Sequence, residues 1–287
     1  MANRKEDAPL NEGRAKIRTP AERQFIATLA HGLEVLEVLS GDGSEMTLAA
    51  LSKRIGRTKP TTWRLVHTLV RLGYVRQDLE TRRFAIAARV LALSACFDGM
   101  DVKEVAGPFL RQLSARVSET VNMAVGDDDH LIYVERIKTT QIININLHVG
   151  SRLPLYNTSM GRALLAYYST DQLREYVARL NRVPAARKYT QNGNRLLFEV
   201  LAETRQRGFA LNDEDFAVGL RSVAVPCRNA DGRVVAAINI AVPSARVSLR
   251  QLRTVHAPEL LKTAQEISTA LGYASRPPSV PARRNLA

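Results

Sequence analysis

Residues 47–87, TLAALSKRIGRTKPTTWRLVHTLVRLGYVRQDLETRRFAIA, hold the pattern that most constrains the fold. Leu48, Leu51 and Ile55 share one face of a short helix, capped by Thr47 and stopped by Gly56. After a tight Arg-Thr-Lys turn, a helix over 59–72 offers Trp63, Leu65, Val66, Leu69 and Val70 for burial. Pro60 suits its first turn, where a missing N–H costs little, and Gly73 stops it. "YVRQD" and "RRFAIA" then alternate apolar and polar residues about the turn "DLET", which predicts a β-hairpin. Upstream, Phe25, Leu29, Leu33, Leu36 and Leu39 recur at helical spacing until "SGDG" at 40–43. Three helices with a tight turn between the last two, followed by a hairpin, make a winged helix-turn-helix. The third helix of such a unit enters the DNA major groove.

The charge agrees. Over residues 53–89, ten Lys or Arg side chains stand against Asp78 and Glu80, whereas residues 24–50 hold four acids and no Lys or Arg. With a net charge of +13 and a pI near 10.2, nucleic acid is the first partner to consider and an anionic membrane the second. The non-core side of the third helix presents Lys59, Thr61, Thr62, Arg64, His67 and Arg71, with Arg57 in the turn before it. Short or forked donors of this kind reach base edges and phosphates. Arg82 and Arg83 are placed to follow the backbone or enter the minor groove from the hairpin. Trp63 reads as a core residue between helices, since stacking on bases suits single strands better than a duplex.

No apolar run approaches the roughly 20 residues of a membrane span. The N-terminus lacks a signal-peptide core, so a soluble cytoplasmic protein is expected. Cys96 and Cys227 form no CxxC and read as buried thiols, with no disulfide scaffold or zinc site implied.

The expected organisation is a disordered basic tail (1–22), the winged helix-turn-helix (23–86), a linker helix (87–100), a second domain (101–273) and a disordered Pro-rich tail (274–287). In the second domain a helix, "VKEVAGPFLRQLSARVS", precedes the β-rich runs "TVNMAVG", "HLIYVERI" and "QIININLHV". Helices near 158–168, 170–181 and 194–207 follow, then strands "GFALND", "LRSVAVPCR" and "RVVAAINIAV", and a closing helix over 248–271. The fold class is α+β, an antiparallel sheet with helices packed on it. No catalytic centre, metal site or cofactor is expected: His130, His148 and His256 are scattered, and "DDDH" at 127–130 reads as a hairpin turn. "NDEDF" at 212–216 is either a solvated loop or the polar rim of a ligand pocket. "LPLYNTSMGRALL" starts a helix at Thr158 or Ser159, a generic place for a small carboxylate.

"HGLEVLEVL…LAALSKRIGRTKPTTWRLVHTLVRLGYV" resembles the DNA-binding domain of the IclR family of bacterial transcription regulators. "GSRLPLYNTSMGRALLA", "RQRGFALNDEDFAVGLRSVAVPCRNADGRVVAAINIAV" and the closing helix resemble its effector-binding domain, so that residues 25–272 match in order. The resemblance implies a GAF-like second domain that binds a small molecule, and homodimers or homotetramers on palindromic double-stranded operators. It places the pocket at Thr158, Ser159 and Met160, Asn212, Ser222, Asn239 and Ala241. Family members that sense glyoxylate carry Asp at Asn212, Cys at Ser222, Ser at Asn239 and Ala241, and Gly-Ala at Ser159-Met160. These departures argue against glyoxylate. "INLHVGSRLPLYNTSMGRALL" is more similar to the branch controlling protocatechuate, 4-hydroxybenzoate and β-ketoadipate catabolism. Ile145, Leu147, Leu153, Met160 and Leu220 would wall an aromatic ring, with Ser159, Ser222 or Asn239 on its polar substituents. The function expected is thus a ligand-responsive, sequence-specific regulator of a catabolic operon, with contact to RNA polymerase open. The competing classes are a non-specific architectural DNA binder and an enzyme acting on a small molecule in the second domain.

Overall fold

The computed structural model describes residues 24–41, 45–94, 99–139 and 147–274. The 1–22 tail, Cys96, Ile145, most of the strand expected from "QIININLHV" and all but the first residue of the 274–287 tail lie outside them. The chain divides between Arg89 and Val90 into two compact units.

The first unit contains α1 (Ala27–Gly41), α2 (Leu48–Arg54), α3 (Lys59–Arg71) and an antiparallel hairpin of β1 (Val75–Gln77) and β2 (Phe84–Ile86). Thr47 caps α2 by accepting the Ala50 amide at 3.3 Å, and Thr58 caps α3. Val35, Leu39, Leu51, Ile55, Leu65, Val66, Val75 and Phe84 close the core. Two expectations fail here. Phe25, Leu29 and Leu33 are exposed, because the core reaches only the C-terminal half of α1, where Val35 and Leu39 are buried. Trp63 is 43% exposed. The buried stripe of α3 runs Thr62, Leu65, Val66, Leu69, and Trp63 falls one position off it. Its indole lies edge-on to Phe84, with centroids 6.3 Å apart, and 5.6 Å from the His67 ring.

The second unit begins with a short helical turn at Leu91–Ser94. Its elements are α4 (Gly99–Val117), β3 (Thr120–Asp127), β4 (His130–Ile137), β5 (Arg152–Pro154), α5 (Ser159–Leu165), α6 (Thr170–Leu180), α7 (Arg187–Arg207), β6 (Ala210–Asp213), β7 (Leu220–Arg228) and β8 (Val234–Pro243). Leu249–Gln251, a π-helical turn at Leu252–His256 and Ala257–Ala270 then run on as one helix, α8. The strands form a six-stranded sheet ordered β5-β4-β3-β8-β7-β6, antiparallel throughout. The short strand β5 was not anticipated, and α7 is broken at Gln191–Asn194, where three successive residues are left-handed.

The alternation of β7 and β8 sorts large from small side chains. Val223, Val225, Ile238, Ile240 and Val242 face one core with α4 and α8. Ala224 and Ala237 face the other, with α5, α6 and α7. Small residues on that second face leave room above the sheet, and the functional cavity opens there.

Candidate functional site

In the first unit, Lys59, Thr61, Arg64 and His67 lie exposed along α3, and Arg57 is exposed just before it. Thr62 does not join them. It sits on the buried stripe with no exposed surface, and its hydroxyl donates to the Thr58 carbonyl at 3.0 Å. The Arg57 guanidinium lies 2.7 Å from the His31 ring, and the Thr61 and Thr58 hydroxyls are 3.0 Å apart. At the hairpin tip Asp78 accepts the Thr81 and Glu80 amides at 2.7 and 2.9 Å, and these bonds hold its carboxyl below the ordinary value. Arg82 stands exposed at the tip with a left-handed backbone, φ 57°. Arg83, also exposed, donates to the Glu45 carbonyl at 3.0 Å, and Arg76 pairs with the Glu45 carboxylate at 3.0 Å. Part of the basic surface is thus tethered to its acidic neighbour, while α3 and the tip present donors outward.

In the second unit a cavity opens between the small-residue face of the sheet and the start of α5. It is tight, with about 20 Å³ of free volume, and is partly open to solvent. Its lining includes Leu147, Leu153, Thr158, Ser159, Met160, Asn212, Leu220, Ser222, Asn239 and Ala241, which are all the expected pocket residues that the structure describes. Asn122, Tyr133, Arg136 and Phe216 complete it and were not anticipated.

Each polar group is positioned by a specific partner. The Thr158 hydroxyl donates to the Pro154 carbonyl at 2.9 Å and accepts the Gly161 amide at 3.1 Å, so it is spent on capping α5. The Ser159 and Ser222 hydroxyls meet at 2.7 Å. The Asn212 amide donates to the Asn157 carbonyl at 2.5 Å, while its Oδ1 is buried without a hydrogen-bond partner among the described residues. Arg136 donates to Asn122 Oδ1 at 3.2 Å, and Asn122 Nδ2 donates on to Asn239 Oδ1 at 2.8 Å. Burial pushes the Arg136 pKa down and the Tyr133 phenol up to about 12, so that phenol stays protonated.

The 212–216 segment is a rim of the cavity rather than a solvated loop, and one buried cation fastens it. Arg162, on α5, donates to the Tyr156 carbonyl (3.2 Å), the Leu211 carbonyl (2.7 Å), the Tyr189 hydroxyl (2.7 Å) and Asp215 Oδ2 (2.8 Å). Burial raises the Asp215 pKa, but hydrogen bonds from Lys188 and Arg162 outweigh it and hold the carboxyl below its usual value. Glu214 accepts the Gly219 amide at 2.7 Å, which closes the loop behind Phe216.

The remaining candidates do not converge. No His, Cys, Asp or Glu cluster among the described residues is arranged to hold a metal ion. "DDDH" is the β3–β4 turn, tied down by ion pairs from Asp127 to Arg152 and from Asp129 to Arg179. Cys227 is fully buried and its thiol is pushed up to about 12.

Comparison with known proteins gives the same division of labour. The IclR helix-turn-helix domain matches residues 28–79, and the bacterial transcriptional regulator IclR C-terminal domain matches residues 94–269. The Pca regulon regulatory protein of Pseudomonas putida is 33% identical over 261 residues, 88% of this chain and 89% of that protein. The transcriptional repressor IclR of Escherichia coli (strain K12) is 31% identical over 269 residues, 92% of this chain and 97% of that protein. A crystal structure of a regulator from Rhodococcus sp. RHA1 superposes with a TM-score of 0.67 at 34% identity, covering 86% of this chain and 98% of that one. These relatives are regulators and not enzymes. With a DNA-binding helix-turn-helix unit followed by a ligand-binding unit, the chain belongs to the IclR family of bacterial transcriptional regulators.

Proposed function

We propose that the chain regulates a catabolic operon by sequence-specific binding to operator DNA, and that a small aromatic acid in the second unit controls that binding. The observation that carries this reading is the cavity on the small-residue sheet face. Leu147, Leu153, Met160, Phe216 and Leu220 give it apolar walls, while Ser159, Ser222, Asn122, Asn239 and Asn212 supply hydrogen-bonding groups. An aromatic ring with polar substituents matches such a lining. The 33% identity to a Pca regulon regulatory protein supports the same branch. Arg57, Lys59, Thr61, Arg64, His67, Arg82 and Arg83 are the proposed DNA contacts. The protein acts as a homodimer or homotetramer on palindromic sites in the cytoplasm, associated with the nucleoid when bound, and a contact with RNA polymerase fits this role. No described helix is long and apolar enough to cross a membrane.

The ligand acts by binding one state of the regulator better than another, since only differential affinity shifts such an equilibrium. The test selects preferred sites from a random duplex pool, then titrates the protein onto them with and without 4-hydroxybenzoate or protocatechuate. A shift in operator affinity of at least about 5-fold, with a raised melting temperature, is expected. Equal binding to selected and random DNA would sink the regulatory reading. Normal site selection with no response to any aromatic acid would sink the effector class alone.

A further inference from the structure

Among its described lining residues the cavity holds one cation, Arg136, and no anion to match it. Arg136 is on β4, its guanidinium laid over β3 by the bond to Asn122 Oδ1 at 3.2 Å. Asn122 is fixed in turn, because its amide nitrogen is committed to Asn239 Oδ1 at 2.8 Å. That commitment leaves only the amide oxygen of Asn122 for Arg136 and defines the orientation of both groups. Among the described residues the Arg136 Nε, sealed from solvent, meets no hydrogen-bond partner and no carboxylate pairs with the side chain. The nearest acid in sequence, Glu135, accepts the backbone amide of Arg136 and pairs with Lys103 at 3.8 Å. A guanidinium with five donors and one neutral acceptor is an incomplete ion pair.

The opposite side of the cavity carries the complementary defect. Asn212, on β6, is buried, and its amide nitrogen faces the Asn157 carbonyl at 2.5 Å. Its oxygen therefore faces away from that carbonyl and accepts no hydrogen bond among the described residues. Between the guanidinium over β3 and Asn212 on β6 lie β8 and β7. Three strand spacings of about 4.8 Å each separate β3 from β6, so the two groups stand at opposite ends of the cavity.

We propose that Arg136 is the anion anchor of this cavity and that Asn212 Oδ1 is the acceptor at its far end. The effector is then a carboxylate that carries a hydrogen-bond donor, such as a hydroxyl, remote from its charge. The inference rests on the aromatic-acid reading for the group between the two ends, but the anchoring role does not depend on it. Tyr133 lines the cavity on the same side as Arg136, and its protonated phenol is a second donor for the same anion.

The test measures binding by calorimetry on the full-length protein and its Arg136→Gln, Arg136→Lys and Asn212→Leu variants. The probes are 4-hydroxybenzoate, benzoate, the neutral 4-hydroxybenzamide and the aliphatic acid succinate. Arg136→Gln should lower 4-hydroxybenzoate affinity about 10- to 100-fold, the size expected for a charged hydrogen bond. It should also abolish the preference for the acid over the amide, a ratio that a purely structural role would leave alone. Arg136→Lys should keep that preference. Asn212→Leu should erase the preference for 4-hydroxybenzoate over benzoate. Retention of the acid preference in Arg136→Gln overturns the anchor while leaving the aromatic reading intact. Binding of succinate but no aromatic acid, lost in Arg136→Gln, upholds the anchor and removes the aromatic reading. Failure of the parent protein to bind any of the four probes overturns both.

Discussion

Arg162→Met removes the cation that fastens the cavity rim, and its effect can be worked from the bonds it breaks. The side chain is only 4% exposed and donates to two backbone carbonyls, one phenol and one carboxylate. Breaking a buried ion pair from one side costs about 3–5 kcal/mol, because the remaining charge is left uncompensated. Lys188 stays on Asp215 at 2.6 Å and softens that term, whereas the Leu211 and Tyr156 carbonyls lose a donor and restore it. An overall loss of about 3–5 kcal/mol lowers the melting temperature of a unit this size by about 6–20 °C. The two units can be followed separately. The only Trp, Trp63, reports the first, and seven of the eight tyrosines lie beyond Arg89 and report the second. Near-ultraviolet ellipticity of the tyrosines should melt early in the variant, while the Trp63 fluorescence transition stays in place. Asp215 supplies a second readout. Its folded pKa is depressed, so its contribution is complete above the unfolded value near ~3.9 and is lost as pH falls through the folded value. The gap between parent and variant should therefore be full at pH 7 and narrow below about pH 4. A melting shift under about 3 °C, or a gap that does not narrow in acid, would refute the reasoning.

Two further substitutions separate the cavity from the reading helix. A Cβ at Gly161 would fall 2.2 Å from the Leu155 carbonyl oxygen and 2.4 Å from its Cα, both backbone atoms that cannot swing aside. Gly161→Ala should cost at least about 1–3 kcal/mol and displace the start of α5, seen as a lower tyrosine melting temperature and weakened effector binding; normal values for both would show that α5 can shift without penalty. Arg64→Ala should weaken operator binding. A gel-shift series across salt concentrations distinguishes the role, since loss of a phosphate contact lowers the salt slope by about 0.9, while loss of a base contact leaves the slope and relaxes one base preference. No loss of affinity would remove α3 as the reading helix.

Much of the fold was legible because a half-buried element imposes a period on its residues. The sequence runs chosen for β4 and β7 are the observed strands, His130–Ile137 and Leu220–Arg228. The cap of α2, Pro60 in the first turn of α3 and the glycine stops at Gly56 and Gly73 follow from local chemistry alone. The failures occur where local pattern carries too little information. Three residues of β5 are too few for a period to register. The α1 stripe is helical in spacing, yet spacing does not say how far along the helix the core extends, and Leu33 lies beyond it at 52% exposure. Trp63 and Thr62 exchange their expected places because the buried stripe of a 3.6-residue helix is decided by a rotation of one residue, and size does not override it.

The cavity shows the same limit at higher stakes. Most of its uncharged lining followed from the family resemblance, but the cation did not, and the reason is a single extra residue in β4. Simple alternation from Leu131 and Tyr133 turns Glu135 inward and Arg136 outward. The β3–β4 register shifts between Met123 and Ala124, where Tyr133 pairs with Ala124 and Glu135 with Met123. Val134 is the residue bulged out. A bulge of one residue flips every later side chain to the other face, so Arg136 comes in opposite Asn122 and Glu135 goes out. Nothing in the composition of "HLIYVERI" marks that slip, since Val, Glu and Arg are all tolerated on either face of a curved strand. Yet the slip decides the chemistry. A carboxylate turned inward would repel an organic acid, whereas a guanidinium attracts it, in a cavity whose other lining residues are uncharged. Deleting Val134 would remove the bulge and keep Arg136 opposite Asn122, whereas pairing the same residues without the bulge would set Glu135 there instead. The bulge is thus the element of backbone geometry on which the sign of the proposed ligand depends.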